Sequence, residues 1–303
     1  MLNFNPGSNA RKMKALGFVT FILFSIACNY GLAQEVIVFH IKSPHTSFPD
    51  TGRSKGHLYD KVLYTAAEHY NDSTVLIVAP TNLDAKKSVD LVFWFHGWHN
   101  NVDSAEVHYQ LIRQFMASGL NAVLVLAETA KDSPDSYGGK LENTGVFKSL
   151  VSDVLTELKS KSLVSKNTIA RHILLAGHSG AYRVIARIIQ NGQMPVDEVI
   201  LFDALYDETE KYMAWIKADQ AHRFIDIYTD HGGTDGETRN MIKTLDTAKI
   251  ARISIEESAL TPQMLQNNRL VYIHSPHEHD KIIAEPDNFL LFLQNEPFLK
   301  KIK

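Results

Sequence analysis

Apolar residues gather in eight short runs along the chain: Glu35–Ile41, Thr74–Ala79, Asp90–Phe95, Asn121–Leu126, His172–Ala176, Glu198–Phe202, Phe224–Tyr228 and Leu270–Ile273. Runs of this length predict strands, and their nearly unbroken apolar character predicts burial on both faces. Between the later runs the period changes. Ser104–Ser118 places Leu111, Ile112, Phe115 and Met116 on one stripe, and Gly145–Lys159 does the same with Phe147, Leu150, Val151, Val154 and Leu155. Tyr182–Ile189 also alternates apolar and basic residues at helical spacing. These spacings predict helices. Strands alternating with helices predict right-handed crossovers, and so an α/β fold with a mostly parallel central sheet covered by helices on both faces. No stretch between the later strands is long enough for a large cap domain. Sheets of this kind carry their sites at the carboxyl ends of the strands, so the polar residues just past each run are the ones to weigh.

The first 33 residues break this pattern. Arg11, Lys12 and Lys14 precede an apolar run from Ala15 to Ala27, and Gly31-Leu32-Ala33 then offers small residues before Gln34. Basic, apolar, small is the order of a signal peptide, and the apolar run is short for a membrane span. The domain expectation is therefore a signal peptide over 1–33 and one α/β domain over 34–303, which places the mature protein in the periplasm or outside the cell. Ser25-Ile26-Ala27-Cys28 offers a lipid-anchored alternative through Cys28. Cys28 is the chain's single cysteine, so a domain starting at Gln34 must be stable without disulfides. The whole chain has 303 residues, 45% hydrophobic and 21% charged, and the part from Gln34 onward is still large enough for that. Removing the three basic residues of the leader from 31 leaves 28 against 34 acidic, a net charge of −6 that argues against a nucleic-acid partner.

The sharpest chemical signal is Ile173-Leu174-Leu175-Ala176-Gly177-His178-Ser179-Gly180-Ala181. An apolar run ends in small residues around one serine, and a helical pattern follows. This is the strand–turn–helix setting that makes a Gly-x-Ser-x-Gly motif a nucleophile corner, here with Ala181 in the last place. After the Asp90–Phe95 run comes His96-Gly97-Trp98-His99-Asn100-Asn101. Gly97 permits a sharp turn that brings the Trp98 N–H to the same crevice as Ser179, with the Gly180 N–H as a second donor for an oxyanion.

Phe95-His96-Gly97-Trp98, then Gly177-His178-Ser179-Gly180-Ala181, then an aspartate and a late histidine, resemble the α/β-hydrolase superfamily. The resemblance covers most of residues 70–295 and implies an esterase-like site with the order serine, acid, histidine. Two aspartates compete for the acid. Asp203 follows the Glu198–Phe202 run, and its expected burial calls for a partner such as an imidazole. Asp230 follows Phe224–Tyr228, which the resemblance favours if that run is the penultimate strand; strand order tips the choice to Asp230. His274-Ser275-Pro276-His277-Glu278-His279-Asp280 supplies the histidine. His279, immediately before an expected terminal helix beginning at Asp280, is preferred, with His277 in reserve. In this reading the imidazole takes the Ser179 proton, the carboxylate holds the imidazole, and no metal or other cofactor takes part.

The sequence also admits two rival readings. His277, His279 and Asp280 with His96, His99 and His231 offer ligands for a metal-dependent hydrolase, and an exported binding module could also use this scaffold. The polar stretch Thr129–Asn143 is expected to lie over the crevice, where Tyr137, Lys140 and the asparagines would suit a polar or carbohydrate-linked ester.

Overall fold

The computed structural model describes residues 35–302, so the expected signal peptide, with Cys28 and the cleavage point, lies outside the described residues. In chain order the strands are β1 (Val36–Lys42), β2 (His57–Tyr59), β3 (Val62–Tyr64), β4 (Thr74–Pro80), β5 (Ser88–Phe95), β6 (Ala122–Ala127), β7 (Ile169–His178), β8 (Glu198–Phe202), β9 (Arg223–Thr229), β10 (Ile253–Glu256) and β11 (Leu270–Ser275). The α-helices are α1 (Ala66–His69), α2 (Val102–Tyr109), α3 (Leu111–Ser118), α4 (Val146–Ser160), α5 (Tyr182–Asn191), α6 (Thr209–Ala218), α7 (Asp235–Thr247), α8 (Pro262–Asn267) and α9 (Asn288–Gln294).

Nine strands form one sheet in the order β1-β4-β6-β5-β7-β8-β9-β11-β10, and β2 and β3 pair as a separate hairpin. The β1–β4 and β4–β6 pairs are antiparallel and the other pairs of the sheet are parallel. Along the central strands successive side chains enter two different cores. Phe93, Phe95, Leu175, Val199 and Leu201 pack with α4, α5 and α6 on one face. Trp94, Leu174, Ala176, Ile200, Phe202 and Ile227 pack with α2, α3 and α9 on the other. A sheet buried on both faces has no polar side to alternate with, which is why its strands read as unbroken apolar runs. Short helices make the connections between β8, β9, β10 and β11, so no cap domain is inserted there.

The structure departs from the sequence reading in four places. The expected helix over 104–118 is two helices, because Gln110 takes a left-handed conformation (φ 53°) between them. The break re-phases the buried stripe: Tyr109 and Leu111, two apart, both face the core, which one continuous helix cannot arrange. The terminal helix begins at Asn288, not Asp280. Pro286 lacks the N–H that a helix through it would need, and Ile282 and Ile283 reach the core from turns instead. A β2–β3 hairpin appears where none was read, turning through Asp60 and Lys61 at φ 45° and 66°. Finally, β10 intervenes between β9 and β11, so Phe224–Tyr228 does not belong to the penultimate strand.

Candidate active site

β7 runs straight into a one-turn 3₁₀ segment (Ser179–Ala181) and then α5. Ser179 sits at the corner with φ 55°, in the left-handed region that costs a serine on the order of 1–3 kcal/mol. The surrounding contacts hold it there. Gly97, from the turn after β5, lies so close that a Cβ added to it would come within 2.6 Å of the Ser179 Cβ. Only a glycine can therefore fill that place, and the β5 turn and the β7 corner are pressed together. The Trp98 indole lies over Gly180 and donates from Nε1 to Ser136 Oγ at 2.7 Å. Among the described residues the Trp98 backbone N–H has no acceptor.

His279 enters from the loop after β11. Its Nδ1 donates to Asp203 Oδ2 at 2.7 Å, and its Nε2 makes no hydrogen bond among the described residues. Asp203 is fully buried at the end of β8, the strand next to β7, and itself has φ 44°. Its carboxylate also accepts from Thr229 Oγ1 at 2.7 Å, from the Thr229 N–H at 3.3 Å and from Thr234 Oγ1. Burial alone would push this carboxyl up. The hydrogen bonds from His279, Thr234 and Thr229 outweigh it and hold the carboxyl below its ordinary range.

His178, the residue before the serine, holds the histidine loop. Its ring lies 4.4 Å from that of His279, its Nε2 donates to the His279 carbonyl at 3.0 Å, and its Nδ1 lies 3.0 Å from the Tyr109 hydroxyl. Burial, reinforced by His279, pushes its imidazole down to about 3, so it is neutral at any ordinary pH. Tyr206, from the loop after Asp203, stands beside Ser179 and His279 and donates its hydroxyl to the Gly232 carbonyl at 2.5 Å. Burial pushes its phenol up to about 12.

No protein-family model matches this chain, and no curated protein matches its sequence. Solved structures do match. Carboxyl esterase 2 of the mycorrhizal fungus Tuber melanosporum superposes with a TM-score of 0.50 at 10% identity, over 91% of this chain and 90% of the other. The fluorophosphonate-binding serine hydrolase F of Staphylococcus aureus matches at 0.47 and 11% identity, over 84% and 98%. A ferulic acid esterase of the anaerobic fungus Anaeromyces mucronatus matches at 0.48 and 10%, over 89% and 93%. The chain has the α/β-hydrolase fold.

Within this α/β-hydrolase fold the residues singled out in the sequence go to different places. Ser179, Gly180, Trp98, Asp203 and His279 converge on one crevice at the carboxyl ends of β5, β7, β8 and β11. Asp230 lies outside that group. It is more than half exposed and pairs with His274 Nε2 at 2.9 Å, while His274 Nδ1 faces Glu256 at 2.9 Å. Burial works against the proton on His274, but hydrogen bonds to Glu256 and Asp230 prevail and raise its pKa. His277 stands 3.8 Å from Glu257. Tyr137 donates to Asp50 at 2.9 Å and Lys140 to the Pro44 carbonyl at 2.5 Å, so of the polar loop it is Ser136 that touches the crevice.

The residues of the metal reading do not converge. Among the described residues, the grouping of three possible ligands within 4.8 Å of one another is His178, His279 and Asp280. His178 has both nitrogens engaged and His279 has given Nδ1 to Asp203, which leaves two donor atoms where a zinc site uses at least three. Sequence reasoning missed His178, Tyr206 and Ser136. The first occupies the variable place of the serine motif, and the other two lie in loops whose path the sequence does not reveal.

Proposed function

We propose that this protein is a serine hydrolase of carboxylic esters. The observation that carries the reading is Ser179 on a left-handed corner, directly after His178, whose ring lies 4.4 Å from that of His279, an imidazole with Nδ1 held by a fully buried carboxylate. A serine hydroxyl needs a base, and a base in one tautomer needs an acceptor on its other nitrogen; His279 and Asp203 supply both. In this assignment Asp203, rather than Asp230, is the acid. His279 Nε2 takes the Ser179 proton, the acyl group passes to Ser179 Oγ, and His279 returns the proton to the departing alcohol. Water then repeats the sequence to free the acid. The N–H groups of Trp98 and Gly180 receive the charge that gathers on the carbonyl oxygen.

The substrate is read as a polar or carbohydrate-linked ester of a short acyl group. Trp98 and Tyr59 meet edge to face at 5.3 Å, each about two-fifths exposed, and the Ser136 hydroxyl adjoins Trp98. Aromatic faces beside hydroxyls suit the apolar face and polar rim of a sugar ring. The basic, apolar, small order of residues 1–33 supports a place outside the cytoplasm. Among the described residues no helix is long and apolar enough to cross a membrane. The test is labelling by a fluorophosphonate and turnover of acetylated sugars and p-nitrophenyl acetate. Wild type should label and turn over, and Ser179→Ala should do neither while melting as a folded protein. Near-wild-type turnover by Ser179→Ala would sink the assignment.

A further inference from the structure

Behind the Gly97–Trp98 turn lies a buried pair that the triad does not use. His96 and Glu128 have side chains only 1% exposed, and His96 Nε2 stands 2.5 Å from Glu128 Oε1. His96 Nδ1 donates to the Gly97 carbonyl at 2.8 Å. Thr129 Oγ1 adds a contact at 2.9 Å to His96 Nε2. Glu128 is itself held, accepting from the Thr129 N–H at 3.2 Å and the Val102 N–H at 3.3 Å. With an acceptor opposite each ring nitrogen, the imidazole carries both protons and faces a carboxylate. Burial works against that charge, but Glu128 outweighs it, with Asp132 of the following loop adding to the same side.

We propose that the buried His96–Glu128 pair is the positioning device of the oxyanion site, clamping the Gly97 carbonyl so that the Trp98 N–H of the same peptide points into the Ser179 crevice. The proposal rests on the serine-hydrolase reading. Its physical basis is the planarity of the peptide: carbonyl and N–H point in opposite directions, so anchoring one aims the other. Gly97 packed on Ser179 sets how far that peptide stands from the nucleophile, and His96 sets its rotation. A charged donor on the carbonyl also polarises the peptide, which makes its N–H a stronger donor when negative charge arrives. Glu128 acts one step further back by keeping His96 doubly protonated and fixed in plane.

The test compares His96→Gln, His96→Asn and Glu128→Gln with wild type, reading kcat and KM on p-nitrophenyl acetate and the affinity for a trifluoromethyl ketone. The ketone adds to a catalytic serine and leaves an oxyanion, so it reports the donors directly. His96→Gln keeps a partner for Glu128 but withdraws the donor from Gly97. It should lower kcat by on the order of 10²-fold, the scale of one lost oxyanion donor, with KM nearly unchanged and ketone affinity reduced in step. His96→Asn puts an amide N–H near the Nδ1 position and should recover about tenfold of that loss, since the geometry returns without the charge. Glu128→Gln, which removes charge with little change of shape, should cost roughly tenfold in both kcat and ketone affinity. A folded His96→Gln with wild-type kcat, or with kcat lowered but ketone affinity kept, overturns the proposal. If that variant does not fold, Glu128→Gln decides alone, and unchanged kcat and affinity overturn it. Wild type that labels with fluorophosphonate while these variants behave as wild type refutes the clamp only; wild type that neither labels nor hydrolyses refutes the hydrolase reading itself.

Discussion

Replacing Asp226 by asparagine should make the protein more stable at alkaline pH and change how stability varies with pH. Asp226 lies in β9, fully buried, facing the α7 side of the sheet. One carboxylate oxygen accepts from Thr238 Oγ1 at 2.7 Å, and the other has no partner. Burial pushes its carboxyl up to about 7, with the Thr238 hydrogen bond opposing and the charge of Asp203 adding to the rise. An acid of this kind holds its proton more tightly folded than unfolded. It therefore leaves stability untouched below about pH 4, lowers it as pH climbs from there toward 7, and reaches its full destabilising effect above that. The full effect is about 4 kcal/mol, of which about 2–3 kcal/mol falls between pH 5 and pH 8. The asparagine amide cannot ionise, and its carbonyl can still accept from Thr238. Urea unfolding of wild type and Asp226→Asn at pH 5, 6, 7 and 8 gives the difference directly. The gap should shift by about 2–3 kcal/mol in favour of the variant across that range. Parallel curves would show that the carboxylate is paired or hydrated in the folded protein, and the reasoning from burial would fail.

Two further predictions concern the site and the leader. Asp203→Asn should lose on the order of 10⁴-fold in kcat, the scale seen when a triad carboxylate is neutralised, while Asp230→Asn keeps turnover within a few fold; the reverse order in side-by-side kinetics would transfer the role to Asp230. The proposed export predicts that mass spectrometry of the mature protein finds its first residue at Gln34, whereas a diacylglycerol adduct on Cys28 would establish lipid anchoring instead.

The parts of the fold legible in the sequence were those where burial is two-sided. β7, β8 and β9 carry apolar residues into both cores, so each shows as a run that no surface pattern interrupts. β10 was not legible, because Ile253–Glu256 is an edge strand of four residues with Ser254 and Glu256 exposed. That omission bears directly on the acid: with β10 in place the strand before the last is followed by Glu257, so strand order no longer favours Asp230. The serine corner showed itself because close packing demands small neighbours, which is a local property. His96 with Glu128, and Tyr109 with His178, could not be paired from sequence, since their partners lie 32 and 69 residues apart and nothing local marks them.

The sheet order also sets a distance that the last loop has to bridge. β11 lies three places from β7, with β9 and β8 between them, so about 14 Å separates the two strand ends. Yet the His279 carbonyl touches His178 at the end of β7, and Ser275 closes β11 only four residues earlier. The chain does not cross that distance alone: the His178 side chain reaches out from β7, while the loop bends at His277, whose N–H donates to Ser275 Oγ at 3.2 Å, and turns at His279 and Asp280. The position of the imidazole is therefore shared between two strands three places apart. A change in the length of 276–278 and a change at His178 would disturb the same side chain from opposite ends of the gap, with the sheet itself left intact.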